Sequence, residues 1–261
     1  MKLFKSMALL SVVSMLFLFS CSNSNTTEPE PDPLTEIPDD ASPIPNAQAA
    51  AELATATLNG VGDFVAGALD PFYSTKKPTN VSADSLYYKD GWWYYIASVY
   101  YNDGESGNDF GMELDNKYQF SKNGSVHQSW ATADKVHAIV DVAGSYSTQG
   151  MTMDIKYYFD VTFSNINSSG DMILPIIVDG AGYYDFIITT TEEGKQRYYL
   201  TYRFDNFKVP ENDYPMGTLK IGTKNYKINM IFDGTNMVTV DVMQNGKTVY
   251  SMQYNLDNEN S

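Results

Sequence analysis

The chain has 261 residues, with 32 acidic side chains against 17 basic ones and a formal net charge of −15. A surface this acidic argues against nucleic acid as a partner and against flat docking on anionic lipid. The length left after the N-terminal segments is that of one domain, and a single cysteine rules out an internal disulfide.

In chain order, Met1-Lys2-Leu3-Phe4-Lys5 forms a positive start, followed by an apolar run from Met7 to Phe19 interrupted by Ser11 and Ser14. The run suits the hydrophobic region of a signal peptide and falls short of the roughly 20 apolar residues of a spanning helix. It ends at Leu18-Phe19-Ser20-Cys21, which resembles the bacterial lipobox. The resemblance implies a signal peptide over residues 1–20, cleavage by signal peptidase II between Ser20 and Cys21, and a diacylglyceryl group on the Cys21 thiol. One acyl chain binds a membrane marginally, whereas two or three hold stably. Ser22 is not the aspartate that marks inner-membrane retention in some Gram-negative bacteria, so the same resemblance favours the outer membrane.

Residues 22–46, SNSNTTEPEPDPLTEIPDDASPIPN, hold prolines and acids but no base and no aromatic residue. Such a composition buries too little apolar surface to offset ordering entropy. Residues 21–46 therefore read as a lipidated cysteine and a disordered, extended tether, with one β-rich domain over 47–261.

Residues 46–68 predict the one helix. Asn46 is placed to cap it, alanines favour it, and Leu53, Ala54, Thr57, Leu58, Val61 and Val65 recur at helical spacing. Gly60 and Gly62 weaken its middle. The apolar face is read as packing on a sheet, with a movable lid as the functional alternative.

From Leu86 onward the period becomes two. Met153, Ile155, Tyr157, Phe159, Val161 and Phe163 fall on one face, and Asp154, Lys156, Tyr158, Asp160 and Thr162 on the other. Tyr198 to Phe204, Tyr226 to Phe232, Val238 to Val242 and Tyr250 to Leu256 repeat the pattern. Asp90-Gly91, Asp103-Gly104, Asn123-Gly124, Asp179-Gly180, Asp233-Gly234 and Asn245-Gly246 read as turns. The expectation is a mainly β domain with a curved antiparallel sheet of roughly 10–12 strands, a half-barrel, barrel or sandwich. A faint echo relates Tyr158–Ile166 to Tyr199–Phe207 and reads as two similar long strands with similar ends.

Catalytic signatures do not emerge. With Cys21 lipidated there is no thiol for cysteine catalysis, and the serine nucleophile elbow, the phosphate loop and the dinucleotide fingerprint are missing. His127 and His137 lack partners at metal-ligand spacing. The loop Asn102-Asp103-Gly104-Glu105-Ser106-Gly107-Asn108-Asp109 is rich in oxygen ligands but fails the calcium-loop spacing, and Asp205, Glu211 and Asp213 read as solvated. No metal and no cofactor is expected.

Aromatic residues make up 14% of the chain and are densest in Tyr87-Tyr88 and Trp92-Trp93-Tyr94-Tyr95, running on to Tyr100-Tyr101. As a strand, Trp93, Tyr95, Ala97, Val99 and Tyr101 share one face, and Trp92, Tyr94, Ile96, Ser98 and Tyr100 the other. Trp92, Trp93, Tyr94, Tyr95, Tyr100 and Tyr101 are the candidate ligand-binding residues, since tyrosine and tryptophan pair an apolar body with a polar tip.

A helix followed by antiparallel strands resembles, in architecture alone, the half-barrel carriers of the lipoprotein-localisation type. That resemblance implies a curved sheet holding acyl chains. The expected function is therefore a membrane-anchored, non-catalytic lipoprotein that carries or senses a hydrophobic molecule. The alternative is a surface module binding glycan or protein.

Overall fold

The structure, a computed structural model, describes residues 36–58, 83–102, 109–166, 172–192, 194–210 and 214–257. The expected signal peptide, Cys21, the predicted helix beyond residue 58, the 103–108 part of the oxygen-rich loop, Glu211 and Asp213 lie outside them.

Helix α1 covers Ala47–Ala56. Asn46 caps it as expected, its side-chain oxygen accepting from the Ala49 amide at 2.9 Å, a contact of about 1 kcal/mol. The strands follow as β1 (Ala83–Lys89), β2 (Trp92–Asn102), β3 (Asp109–Lys122), β4 (Ser125–Val126), β5 (Lys135–Thr148), β6 (Met151–Ile166), β7 (Met172–Thr190), β8 (Gly194–Val209), β9 (Met216–Gly222), β10 (Lys227–Asp233), β11 (Met237–Gln244) and β12 (Lys247–Asn255). A 3-10 turn spans Trp130–Thr132.

All belong to one 12-stranded sheet, in the order β1-β2-β3-β5-β6-β7-β8-β9-β10-β11-β12 with β4 beside β3. Every pairing is antiparallel. The sheet is mainly β as expected and open, with β1 and β12 as its two edges; it is neither a closed barrel nor two packed sheets. Tight turns account for the connectivity. Asp90-Gly91, Asn123-Gly124 and Asn245-Gly246 all take positive φ at both residues, the two-residue hairpin geometry that matches strand twist.

One face of the sheet is largely apolar. Met153, Ile155, Tyr157, Phe159, Val161 and Phe163 of β6 are all buried on it, so the predicted alternation holds residue by residue. A single packed cluster joins them to Tyr118 and Phe120 of β3, Tyr202 and Phe204 of β8, Ile228 and Met230 of β10, and Val238, Val240 and Val242 of β11. Each such side chain contributes about 1.5–3 kcal/mol relative to exposure. Helix α1 lies against β10, β11 and β12. It buries Ala50, Ala51, Ala54 and Thr55, while Leu53 and Leu58 are only partly covered. The small residues rather than the leucines face the sheet most closely, because the absence of bulk there lets the helix backbone approach.

Asp179-Gly180 is a correction. It is not a turn but lies inside β7, where the register shifts between Val178 and Gly180. Gly180 has φ 138°, and a Cβ there would fall 2.2 Å from the Asp160 carbonyl oxygen. The irregularity runs on across neighbouring strands. Asn165 on β6 and Asn206 on β8 take φ 65° and 49° beside their own register shifts, and the Asn206 amide donates to Asp179 Oδ1 at 2.6 Å. A line of bulges bends the sheet here. The sequence echo therefore has a structural meaning, since its two matched asparagines are the left-handed residues of two neighbouring bulges.

The tether reading also needs correcting at its C-terminal end. Residues 36–46 lie on the domain. Ala41 and Ile44 are buried, the Ser42 amide donates to the Arg197 carbonyl at 2.6 Å, and Asn225 grips both peptide groups of Ile44 at 2.9 and 2.8 Å. Composition alone missed this because the partners lie on β8 and the β9–β10 turn, far away in the chain.

Candidate functional site

The Asp90-Gly91 turn fixes the register of the β1–β2 hairpin, so Tyr87 lies opposite Tyr94 and Tyr88 opposite Trp93. Pairing with β3 sets Trp93 beside Tyr118 and Tyr95 beside Asn116. Because Tyr118 and Asn116 point into the core, alternation sends Trp93 and Tyr95 inward and Trp92, Tyr94 and Tyr100 outward. The six expected ligand-binding residues therefore do not form one site. Trp93 and Tyr95 pack against the core, and the side chain of Tyr101 lies outside the described residues.

The inward group is structural. The Trp93 ring meets Trp130 edge-on at 5.0 Å and Tyr88 at 5.5 Å, and its Nε1 donates to the Gln128 carbonyl at 2.8 Å. These contacts fasten the 3-10 turn to the end of the sheet.

The outward group is partly exposed, with Trp92 and Tyr94 half-buried. Tyr87 and Tyr94 stack with centroids 5.1 Å apart and planes 9° from parallel. Tyr87, on the edge strand, is 41% exposed and Tyr100 is 65% exposed. Trp92 meets the His137 ring at 5.2 Å, and His137 Nε2 lies 2.6 Å from Asp160 Oδ1. Gln119 pairs in register with His137. The Tyr100 hydroxyl donates to Glu113 Oε1 at 2.9 Å, and that carboxylate holds the phenol above its usual range. Rings and planar polar groups thus alternate over β1, β2, β3, β5 and β6. Such a surface can stack the C–H face of a sugar ring on an aromatic face and meet its hydroxyls with carboxylate, imidazole and amide groups.

Sequence reasoning left out His137 and Asp160 from this group. They lie on different strands, and only the β5–β6 register brings them together. Tyr87 belonged to the aromatic run and gains its place from the hairpin register.

Elsewhere on the outward face, Tyr158, Tyr183 and Tyr199 form a second ladder, with centroids 5.9 and 5.1 Å apart. Here the chain covers itself. Tyr199 is 8% exposed, with Glu36 close enough to influence it. Asp205 is paired with Lys220, which holds its carboxyl below the usual range, helped by Arg203. His127 Nδ1 accepts from the Ser129 amide at 3.2 Å. Among the described residues no three histidine, cysteine or acidic side chains converge as a metal site, and no helix is long and apolar enough to cross a membrane.

Comparisons with protein-family models, with curated proteins and with solved structures return no match for this chain.

Proposed function

We propose that this protein is a lipid-anchored, extracytoplasmic binding module, non-catalytic, which holds a glycan on the outward aromatic face of its β1–β2 edge. One observation carries the reading. Tyr87, Tyr94 and Trp92 share that face with the His137–Asp160 pair, while the opposite face carries the packed apolar cluster. Tyr118, Phe159, Phe163, Met230 and Val240 have 0% of their surface accessible, so no water-sized void adjoins them. An enclosed ligand needs an interior larger than its lining fills.

The test is titration of the protein with a panel of polysaccharides and oligosaccharides. Binding is expected to weaken roughly two- to tenfold in each of Trp92→Ala and Tyr94→Ala, since one lost stacking partner is worth about 0.5–1.5 kcal/mol. Thermal stability should change little. A panel with no binder, or variants that bind as tightly as the parent, would remove the proposal.

The anchor rests on Leu18-Phe19-Ser20-Cys21. Cys21→Ser is expected to move the protein from the membrane fraction to the soluble fraction. Retention of that variant with membranes would mean that something other than the lipid holds it.

A second reading, a carrier of apolar molecules, has one observation in its favour. The buried Asn116 side chain donates to the Tyr118 hydroxyl at 3.0 Å, yet its oxygen accepts no hydrogen bond. A polar ligand atom would satisfy it. Native mass spectrometry decides: a lipid that co-purifies and leaves into organic solvent supports the carrier.

A further inference from the structure

The seat of the segment before α1 is a built site whose occupant is visible. Asp185 holds the Arg197 guanidinium at Nε and Nη2, 2.9 and 2.7 Å away, which aims Nη1 at Asp40, 2.6 Å away. Main-chain contacts continue at the same place. The Arg197 carbonyl accepts from the Ser42 amide at 2.6 Å, and the Arg197 amide donates to Ser42 Oγ at 3.3 Å. β9 pairs with β8 from Thr201 onward, so the segment occupies the flank of β8 that β9 leaves open. Lys224 Nζ donates to the Pro38 and Asp39 carbonyls at 3.3 and 3.2 Å. Asn225 reads Ile44 through both peptide groups, as a neighbouring strand would.

The occupant is chemically specified: a segment with a turn at Asp39-Asp40, closed by the Ala41 amide on the Pro38 carbonyl at 3.0 Å, then a buried alanine at 41 and a buried isoleucine at 44. It continues into α1, which covers β10 to β12. Yet this donor joins the sheet through residues 59–82, which lead to β1, and β1 and β12 are opposite edges of the sheet. By length alone that stretch can reach on the order of 80 Å at about 3.3 Å per residue. It therefore does not restrict the donor to its own sheet.

Seating in a neighbour would reproduce every contact named above. The two arrangements then differ only in linker entropy and concentration, with a linked donor present at an effective millimolar level. Exchange of an identical element is a low-cost route to a dimer. We propose that residues 36–58 are an exchangeable element, and that the groove of Asp185, Arg197, Lys224 and Asn225 seats the same segment of a second copy.

The experiment uses the full chain with Cys21→Ser, which leaves no other thiol. Asp39→Cys and Lys224→Cys are made separately and together, and treated with a short bismaleimide at about millimolar protein, where exchange competes with the linked donor. The double variant reports seating within a chain when dilute. The two single variants, tagged to differ in mass and mixed, report seating between chains, with Asp39→Cys alone as the collision background. A linked heterodimer at least tenfold above that background, and lost when Arg197→Ala is added to both, is the expected result. Linkage inside the double variant with no heterodimer above background overturns the exchange. No linkage in either overturns the seat itself. Glycan titration of the same chains is independent of all three outcomes.

Discussion

Phe159→Ala is expected to destabilise the domain by about 3–5 kcal/mol, the range for removing a large buried aromatic ring, which is a substantial part of the total stability of an ordinary domain. Phe159 is the hub of the inward face. Its ring meets Tyr184 at 5.3 Å, Tyr202 at 6.0 Å and Phe204 at 6.3 Å. Tyr202 lies two strands away, and the contact exists because Gly182 stands between them on β7. A Cβ at Gly182 would fall 2.2 Å from Phe159 Cδ1 and 2.4 Å from the Tyr158 carbonyl oxygen. Gly182→Ala is therefore expected to cost about 1–3 kcal/mol by overpacking, although the substitution adds apolar surface. Urea unfolding of both variants checks this. A Phe159→Ala midpoint close to the parent's would show that the ring is not at the centre of the packing.

Raising the pH is expected to unfold the protein steeply above about pH 10, the ordinary tyrosine range. Burial pushes the Tyr157 phenol far above its usual value, with Tyr118 adding to the effect. Burial does the same to Tyr202. In the unfolded chain both phenols ionise near the ordinary value; in the folded chain they keep their protons. Above that value the unfolded state binds fewer protons, so stability falls as pH rises. Below it the contribution is fully present. The slope is about 1.4 kcal/mol per pH unit for each phenol. Urea midpoints at pH 9, 10 and 11 should fall accordingly, and Tyr202→Phe should make the slope shallower, with Tyr157 and Tyr199 still contributing. An unchanged slope in that variant would show that Tyr202 titrates as an exposed phenol.

The parts of the fold that were legible in the sequence are those fixed by neighbours in the chain. The alternation from Met153 to Phe163 identifies the buried face of β6 because one side is dry and the other wet. Asn123-Gly124 and Asn245-Gly246 identify hairpins because left-handed φ at two successive residues is a local requirement. Asp179-Gly180 looks the same locally but serves a bend inside a strand, and only the approach of Asp160 on β6 distinguishes the two uses. In Trp92–Tyr101 both faces are aromatic or apolar, so alternation separates the faces without saying which is inward. Asn116 and Tyr118 on β3 decide that. The ordered seat of residues 36–46 depends on Arg197, Lys224 and Asn225, whose proximity no local pattern encodes.

The strand order has a kinetic consequence. In this meander spatial neighbours are chain neighbours, so the sheet can grow one hairpin at a time, each new strand pairing with the one just formed. Its contact order is low for a β protein, which favours fast folding. The exception is the docking of residues 36–56, where Asn225 grips Ile44 from 181 positions away and α1 meets β10, β11 and β12. That closure has to await the last strands, so the N-terminal helix is expected to dock late, onto a sheet already assembled.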